Sequence, residues 1–206
     1  MWSPAPKRAR ARRHAHRLVV AVGGFGIVLA SLGSGGCIFQ PRSPQAPIDS
    51  DVEWLPPFEP ENVLANMKSA VEARFLTNYK DSLDEAFLFK ASATDINEAP
   101  RPGYYDDFGK TRELTAIEKL FTQVDALALN WNYGEDDITI GATTAEFELT
   151  NYELVVSYAN GDEVTYAGYA ILRLVKTGSQ WRLVEWDESP SVSTLSWGRL
   201  RGNLDV

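Results

Sequence analysis

From Ile138 to Glu188 apolar and polar residues alternate over about fifty positions, and no other feature of the chain so narrows the folds open to it. Phe147 and Leu149, then Tyr152, Leu154, Val156 and Tyr158, keep a period of two. That spacing sends alternate side chains to opposite faces of a strand, so the segment predicts a sheet with one buried face. Asn160-Gly161 is a strong hairpin signal, and Thr177-Gly178-Ser179 closes a second hairpin. Ile138 to Tyr158 is too long for one flat strand, which predicts a break near Gly141 to Thr143 and a register shift near Asn151.

Upstream the period changes. Val63, Leu64, Met67, Ala70, Val71 and Phe75 follow helical spacing behind Pro60, a residue suited to a first helical turn, and predict a helix from about 60 to 75. Asn78 and Tyr79 read as a turn. A second short helix is expected from Asp81, with Ser82 and Glu85 spaced as a capping box. Phe87 to Ser92 reads as a strand, and residues 93 to 110, with Pro100, Pro102 and Gly103, as a long loop. Thr111 can cap a third helix in which Leu114, Ile117, Phe121, Val124, Leu127, Ala128 and Trp131 recur at helical spacing. Helices grouped before a sheet make an α+β pattern.

This order resembles the nuclear transport factor 2-like (NTF2-like) superfamily over about residues 60 to 190. The resemblance is carried by "VLANMKSAVEARFLTNYKDSLDEAFLF", similar to the superfamily's opening helices and first strand, and by "YAILRLVKTGSQWRLVEWDE", similar to its last hairpin. The tail "SWGRLRGNL" also looks like that of small bacterial lipoproteins of this type. The resemblance implies N-terminal helices packed on a curved antiparallel sheet that forms a cone. It implies no single activity, because the superfamily holds isomerases, dehydratases and epoxide hydrolases beside non-catalytic binding modules. Met67 lies near the place where the steroid isomerase branch has a Tyr, and Lys90 and Ser92 stand where it has a carboxylate. Arg173 and Asp187 are the nearest approach to the Asp-Arg-Asp set of the epoxide hydrolase branch, and read more simply as a cross-strand pair.

The first residues set an address. Met1 to Arg17 holds six Lys or Arg and no acid, and Leu18 to Leu32 is an uncharged run of fifteen residues broken by Gly23, Gly24 and Gly26. A basic segment, a short apolar run and small residues in that order are those of a secretory signal peptide. Ser34, Gly35 and Gly36 precede Cys37, the chain's single cysteine, and the stretch resembles the lipobox of bacterial lipoproteins. In that family the cysteine thiol is acylated and cleavage falls just before it. Ser34 stands where such lipoboxes most often have Leu. An uncleaved signal anchor and ordinary secretion with a free thiol are the alternatives. Ile38, in place of an Asp, favours the outer membrane where the envelope has one. The expected organisation is a signal peptide over 1–36, a proline-rich tether over 37–59 and an NTF2-like domain over 60–206. Prolines 41, 44, 47, 56 and 57 make the tether a semi-rigid spacer of about 3.1 Å per residue, with Trp54 and Leu55 apolar enough to pack on the domain.

Removing 1–36 leaves 14 basic against 28 acidic residues, which argues against nucleic acid and anionic lipid surfaces as partners. Both histidines, His14 and His16, go with the signal segment, so His-based acid–base catalysis, Ser-His-Asp and Cys-His nucleophiles and His or Cys zinc sites are excluded from the mature chain. Asp106-Asp107, Glu135 to Asp137 and Asp187-Glu188 read as solvated turns, without the spacing of a calcium loop. Tyr152, Tyr158, Tyr166, Tyr169, Trp181 and Trp186 could line a cavity, but with no convergent polar set visible they read as a filled core. No catalytic residue, metal ligand or cofactor is assigned, and no ligand-binding residue is identified. The expectation is a lipid-anchored envelope protein, held to the membrane by acyl chains on Cys37, whose domain is a non-catalytic binding or scaffold module for an envelope protein partner. The alternatives are an isomerase or dehydratase using carboxylates inside the cone, and a carrier of an apolar ligand.

Overall fold

The computed structural model describes residues 52–189 and 195–204; the expected signal peptide over 1–36, Cys37 and most of the expected proline-rich tether lie outside the described residues. The chain runs α1 (Pro60–Glu72), α2 (Leu76–Ser82), β1 (Leu83–Lys90), α3 (Ala93–Asn97), α4 (Lys110–Gln123), β2 (Ala126–Asn132), a 3-10 turn (Glu135–Asp137), β3 (Ile138–Ile140), β4 (Thr144–Ser157), β5 (Glu163–Thr177), β6 (Gln180–Ser189) and α5 (Trp197–Asn203). The strands form one curved, unclosed sheet in the order β1-β6-β5-β4-β2, with β3 also paired to β4.

The alternation pattern becomes the sheet it predicts. β3 ends before Gly141, β4 starts at Thr144, and the β4–β5 register shifts between Leu149 and Tyr152. Gly161 (φ 87°) and Gly178 (φ 65°) take the left-handed turn positions of the two hairpins. Phe147, Leu149, Tyr152, Leu154 and Val156 on β4 face Ala170, Leu172 and Leu174 on β5 and Leu183 and Trp186 on β6, all of them buried. The helices lie on this inner face. α1 contributes Val63, Leu64, Met67, Ala70 and Val71, and α4 contributes Ala116, Ile117, Leu120 and Phe121.

Several local expectations are corrected. The sheet is mixed, because β1 pairs with β6 in parallel while the other ladders are antiparallel. α1 stops at Glu72, where Arg74 turns the chain at φ 55°, and Asn78 and Tyr79 sit inside α2 instead of marking a turn. Burial of Tyr79 supplies what local propensity does not. Ser82 closes that helix instead of opening a capping box, and the strand begins at Leu83. The expected loop contains α3, capped by Ser92, whose Oγ accepts the Asp95 N–H. The third helix ends at Gln123, and Leu127, Leu129 and Trp131 belong to β2, which pairs residue by residue with β4.

Two devices close the margins. β2 is an edge strand, and α1 covers it: Glu72 accepts the Leu129 N–H at 3.0 Å and Lys68 donates to the Leu129 carbonyl. The residues just before α1 pack on the domain as expected, since Asn66 exchanges two hydrogen bonds with the Leu55 backbone (2.8 and 2.7 Å) and the Trp181 backbone N–H donates to the Pro57 carbonyl at 2.7 Å. The core is dense enough to test by truncation. Phe147 is fully buried with an edge contact from Tyr133, so Phe147→Ala should cost about 3–5 kcal/mol in urea unfolding without changing the m-value.

Candidate functional site

α5 docks against the inner face of the sheet, and buried polar side chains from α3, α4, β4 and β6 converge on it. A seven-residue helix does not hold itself in water, so the order of α5 comes from its docking. Trp197, Gly198, Leu200, Arg201 and Gly202 are all buried.

Two polar nodes hold it. At the first, Tyr152 (β4) donates its O–H to Glu188 Oε1 (β6) and accepts the Trp197 N–H at 2.7 Å. Glu188 Oε2 accepts the Gly198 N–H at 2.9 Å. Asp95, on α3, accepts from Ser92 Oγ at 2.6 Å and from Ser196 Oγ at 2.7 Å, and Ser196 Oγ in turn caps α5 by accepting the Arg199 N–H. Both carboxylates come so close to the α5 backbone that a methyl at Gly198 would lie 2.5 Å from Glu188 Oε2 and 2.8 Å from Asp95 Oδ2. Gly168 does the same for Tyr152: a Cβ there would meet the phenol oxygen at 2.8 Å.

At the second node Arg201 enters the core entirely. Its Nε and Nη2 donate to Glu113 Oε2 and Oε1 at 2.6 and 2.8 Å, and Tyr79 donates to Glu113 Oε1 at 2.6 Å. The guanidinium carbon lies 3.9 Å from the Phe89 ring centre, 4.8 Å from that of Trp186 and 5.4 Å from that of Trp197. Burial opposes the Arg201 charge, but Glu113 outweighs it and the guanidinium pKa is raised. Burial also raises both phenols, Tyr79 beside Glu113 and Tyr152 beside Glu188. Two donors in this region, Arg201 Nη1 and Trp186 Nε1, are fully buried and have no acceptor among the described residues.

Glu188 carries the chemistry most sensitive to pH. Desolvation pushes its carboxyl up to about 7, against the opposing pull of Arg201 and the Tyr152 and Gly198 hydrogen bonds. The expected solvated Asp187-Glu188 turn is instead the end of a strand, with Glu188 on the inner face and 4 % exposed.

The sequence-selected residues separate. Met67 is buried apolar core, and Ser92 serves the α3 cap and Asp95. Arg173 and Asp187 do meet, at 3.5 Å, on the outer face, but Arg173 binds Glu146 at 2.7 Å and Glu185 more closely, and Lys90 joins Glu185 at 2.7 Å. That network is part-exposed and distant in kind from an interior acid–arginine–acid set. Tyr152, Tyr166, Trp181 and Trp186 fill the core as expected, whereas Tyr169 points outward. A convergent polar set, not visible in the sequence, is therefore present, built from Glu188, Tyr152, Asp95, Glu113 and Arg201. Its sequence traces were the Ser92-x-x-Asp95 cap and the paired glycines 198 and 202 in a tail otherwise rich in large residues.

No family model and no curated protein matches the sequence. Solved structures do match. A conserved protein from Planctomyces limnophilus is 17 % identical with a TM-score of 0.52, over 63 % of this chain and 91 % of that one. A protein of Novosphingobium aromaticivorans provisionally named an aromatic ring hydroxylase is 15 % identical, TM-score 0.51, over 65 % and 87 %. An NTF2-like superfamily protein from Salmonella enterica serovar Typhimurium is 14 % identical, TM-score 0.44, over 64 % and 88 %. At these identities the likeness to the first two is one of fold alone, helices packed on a curved, unclosed sheet.

A pKa raised from 4.5 to about 7 means that the folded state binds the Glu188 proton more tightly than the unfolded chain. The contribution of Glu188 to stability is thus greatest below pH 4.5 and is lost as pH rises toward 7, by about 3 kcal/mol in all. In urea unfolding across that range wild type should lose stability relative to Glu188→Gln, whose amide does not titrate, as pH rises; parallel profiles would contradict the burial argument.

Proposed function

We propose that this protein is a lipid-anchored, extracytoplasmic binding or scaffold module, held at the cell envelope by acyl chains on Cys37, with a cone that performs no catalysis. One observation carries the non-catalytic reading: the interior where a small substrate would sit is filled by the chain's own α5, and the carboxylates there are engaged by it. Glu188 meets Tyr152 and Gly198, Asp95 meets Ser92 and Ser196, and Glu113 meets Arg201 and Tyr79. Their partners are structural. The anchor is supported by the basic segment, the short apolar run and the small residues before Cys37, with the proline-rich stretch as the spacer that lifts the domain from the bilayer. The acidic balance of the mature chain favours a protein partner over nucleic acid.

A second reading rests on Glu188. A buried carboxyl with a pKa of about 7, hydrogen-bonded to a phenol in an aromatic surround, is the kind of group that isomerases and dehydratases use as acid or base. It requires α5 to leave, and it predicts turnover of a small apolar substrate that Glu188→Gln abolishes. The anchored module predicts none.

For the anchor, intact-mass analysis of detergent-extracted protein should find a chain beginning at residue 37 with two or more acyl groups. Cys37→Ser should shift the protein from the membrane to the soluble extracytoplasmic fraction. Full membrane retention of that variant would assign the attachment to an uncleaved signal segment instead.

A further inference from the structure

Away from the buried face of the sheet, an open cavity of about 230 Å³ runs along the flank of α4. Thr111, Thr115 and Lys119 line it from successive turns of that helix, Tyr104 and Phe108 from the loop before it, and Leu204 from the end of α5. Arg112 and Arg201 also line it, and none of the lining residues is an acid. In a chain with 28 acidic against 20 basic residues, a cleft walled by cations alone is out of keeping with the rest of the surface.

The cations of this domain otherwise find counter-charges. Lys68, Lys90, Lys110, Arg173, Arg199 and Arg201 each meet a carboxylate. Arg112 meets none among the described residues. Its guanidinium donates to the carbonyls of Asp106, at 3.0 Å, and Tyr104, and its carbon lies 4.4 Å from the Phe108 ring centre and 5.0 Å from that of Tyr104. Carbonyl dipoles and ring faces hold the cation in place without cancelling its charge. Arg101 stands 5.2 Å from the same Tyr104 ring, and Lys119 donates to the Leu204 carbonyl at 3.2 Å. Three cations thus gather round one small cleft whose lining supplies no carboxylate. A cleft lined by one sign of charge concentrates the field and draws in the opposite ion.

Size and lining narrow the ion. The cavity is smaller than the roughly 300–1,000 Å³ of sites for drug-sized ligands, so its occupant is small. Ala116, Leu204 and the two aromatic residues make part of the wall apolar. An oxyanion takes charge-assisted hydrogen bonds from an arginine and a lysine, and a short apolar stem covers the carbon surface beside them. We infer that the cleft between α4 and the end of α5 binds a small organic carboxylate, its anion at Arg112 and Lys119 and its apolar stem against Ala116 and Leu204. This goes beyond the anchored-module reading and needs neither the anchor nor any movement of α5.

The test titrates sodium hexanoate into the isotope-labelled full chain at low ionic strength and follows backbone amides by NMR. The Thr111, Thr115, Lys119 and Leu204 amides should shift saturably, with a Kd below about 10 mM that weakens as salt is added. Hexanamide, of the same shape but uncharged, should not saturate, and Arg112→Gln should weaken hexanoate binding at least about tenfold. Thr115 is exposed, so Thr115→Trp fills the cavity without entering the core and should abolish binding with the thermal midpoint unchanged; it decides the matter where Arg112→Gln does not fold. Equal binding of hexanoate and hexanamide, saturable shifts confined to other residues, or undiminished binding by Thr115→Trp overturns the proposal. Inorganic phosphate binding as tightly as hexanoate would make the cleft a site for any oxyanion and overturn its assignment to a carboxylate with an apolar stem. None of these readouts involves Cys37 or Glu188, so this site and the anchored module stand or fall separately.

Discussion

The Arg201–Glu113 pair is the constraint around which the domain closes. A guanidinium with no exposure has to be met by a carboxylate and by donors and faces of matching geometry, because an unpaired charge at such depth is untenable. Meeting it takes Glu113 from α4, Tyr79 from α2, Phe89 from β1 and Trp186 from β6, so one side chain of the last helix ties it to four other elements. Buried pairs of this kind contribute little net energy compared with a hydrophobic replacement, but breaking one costs about 3–5 kcal/mol. Their value is in specifying an arrangement, and here the arrangement is α5 docked on the inner face of the sheet.

The Glu188 node works differently. Its carboxyl gains hydrogen bonds from Tyr152 and Gly198 but no cation of its own, so desolvation dominates and the proton is held near neutrality. Acid chemistry and structural docking thus draw on the same geometry, and what separates them is whether the oxygens are free to meet a substrate. With α5 in place they are not. The outer face of the sheet shows the converse: Arg173 gathers Glu146, Glu185 and Asp187, with water screening each pair, and the cluster serves solubility and register more than stability.

Legibility varied with the locality of the cause. The hairpins, the break before Thr144 and the shift near Asn151 were readable because period and turn chemistry are encoded within a few residues. Residues 124–131 were misread because Val124, Leu127, Ala128 and Trp131 satisfy a helical period while Leu127, Leu129 and Trp131 satisfy a strand period. The β4 edge, hydrogen-bonding from Ala126 to Asn132, decided between them. The second helix is expected too late, from Asp81, and α3 is not expected at all, for a related reason. Each is short and weakly marked, and is held by burial of Asn78, Tyr79 and Ser82 in α2 and of Asp95 in α3. The parallel β1–β6 pairing joins residues about a hundred positions apart and leaves no local trace.

By itself the sequence determined the run of basic, apolar and small residues before Cys37, the confinement of histidine to positions 14 and 16 and the alternation that commits residues 138–188 to a half-buried sheet, because charge, residue type and period are local properties. Only the tertiary structure decided what fills the cone. Glu188 reads as a surface acid, Arg201 as a basic residue in a short tail and Gly198 as a flexible point until the chain folds. They become one buried polar site because desolvation and close approach exist only once residues from α3, α4, β4, β6 and α5 share the same few ångströms.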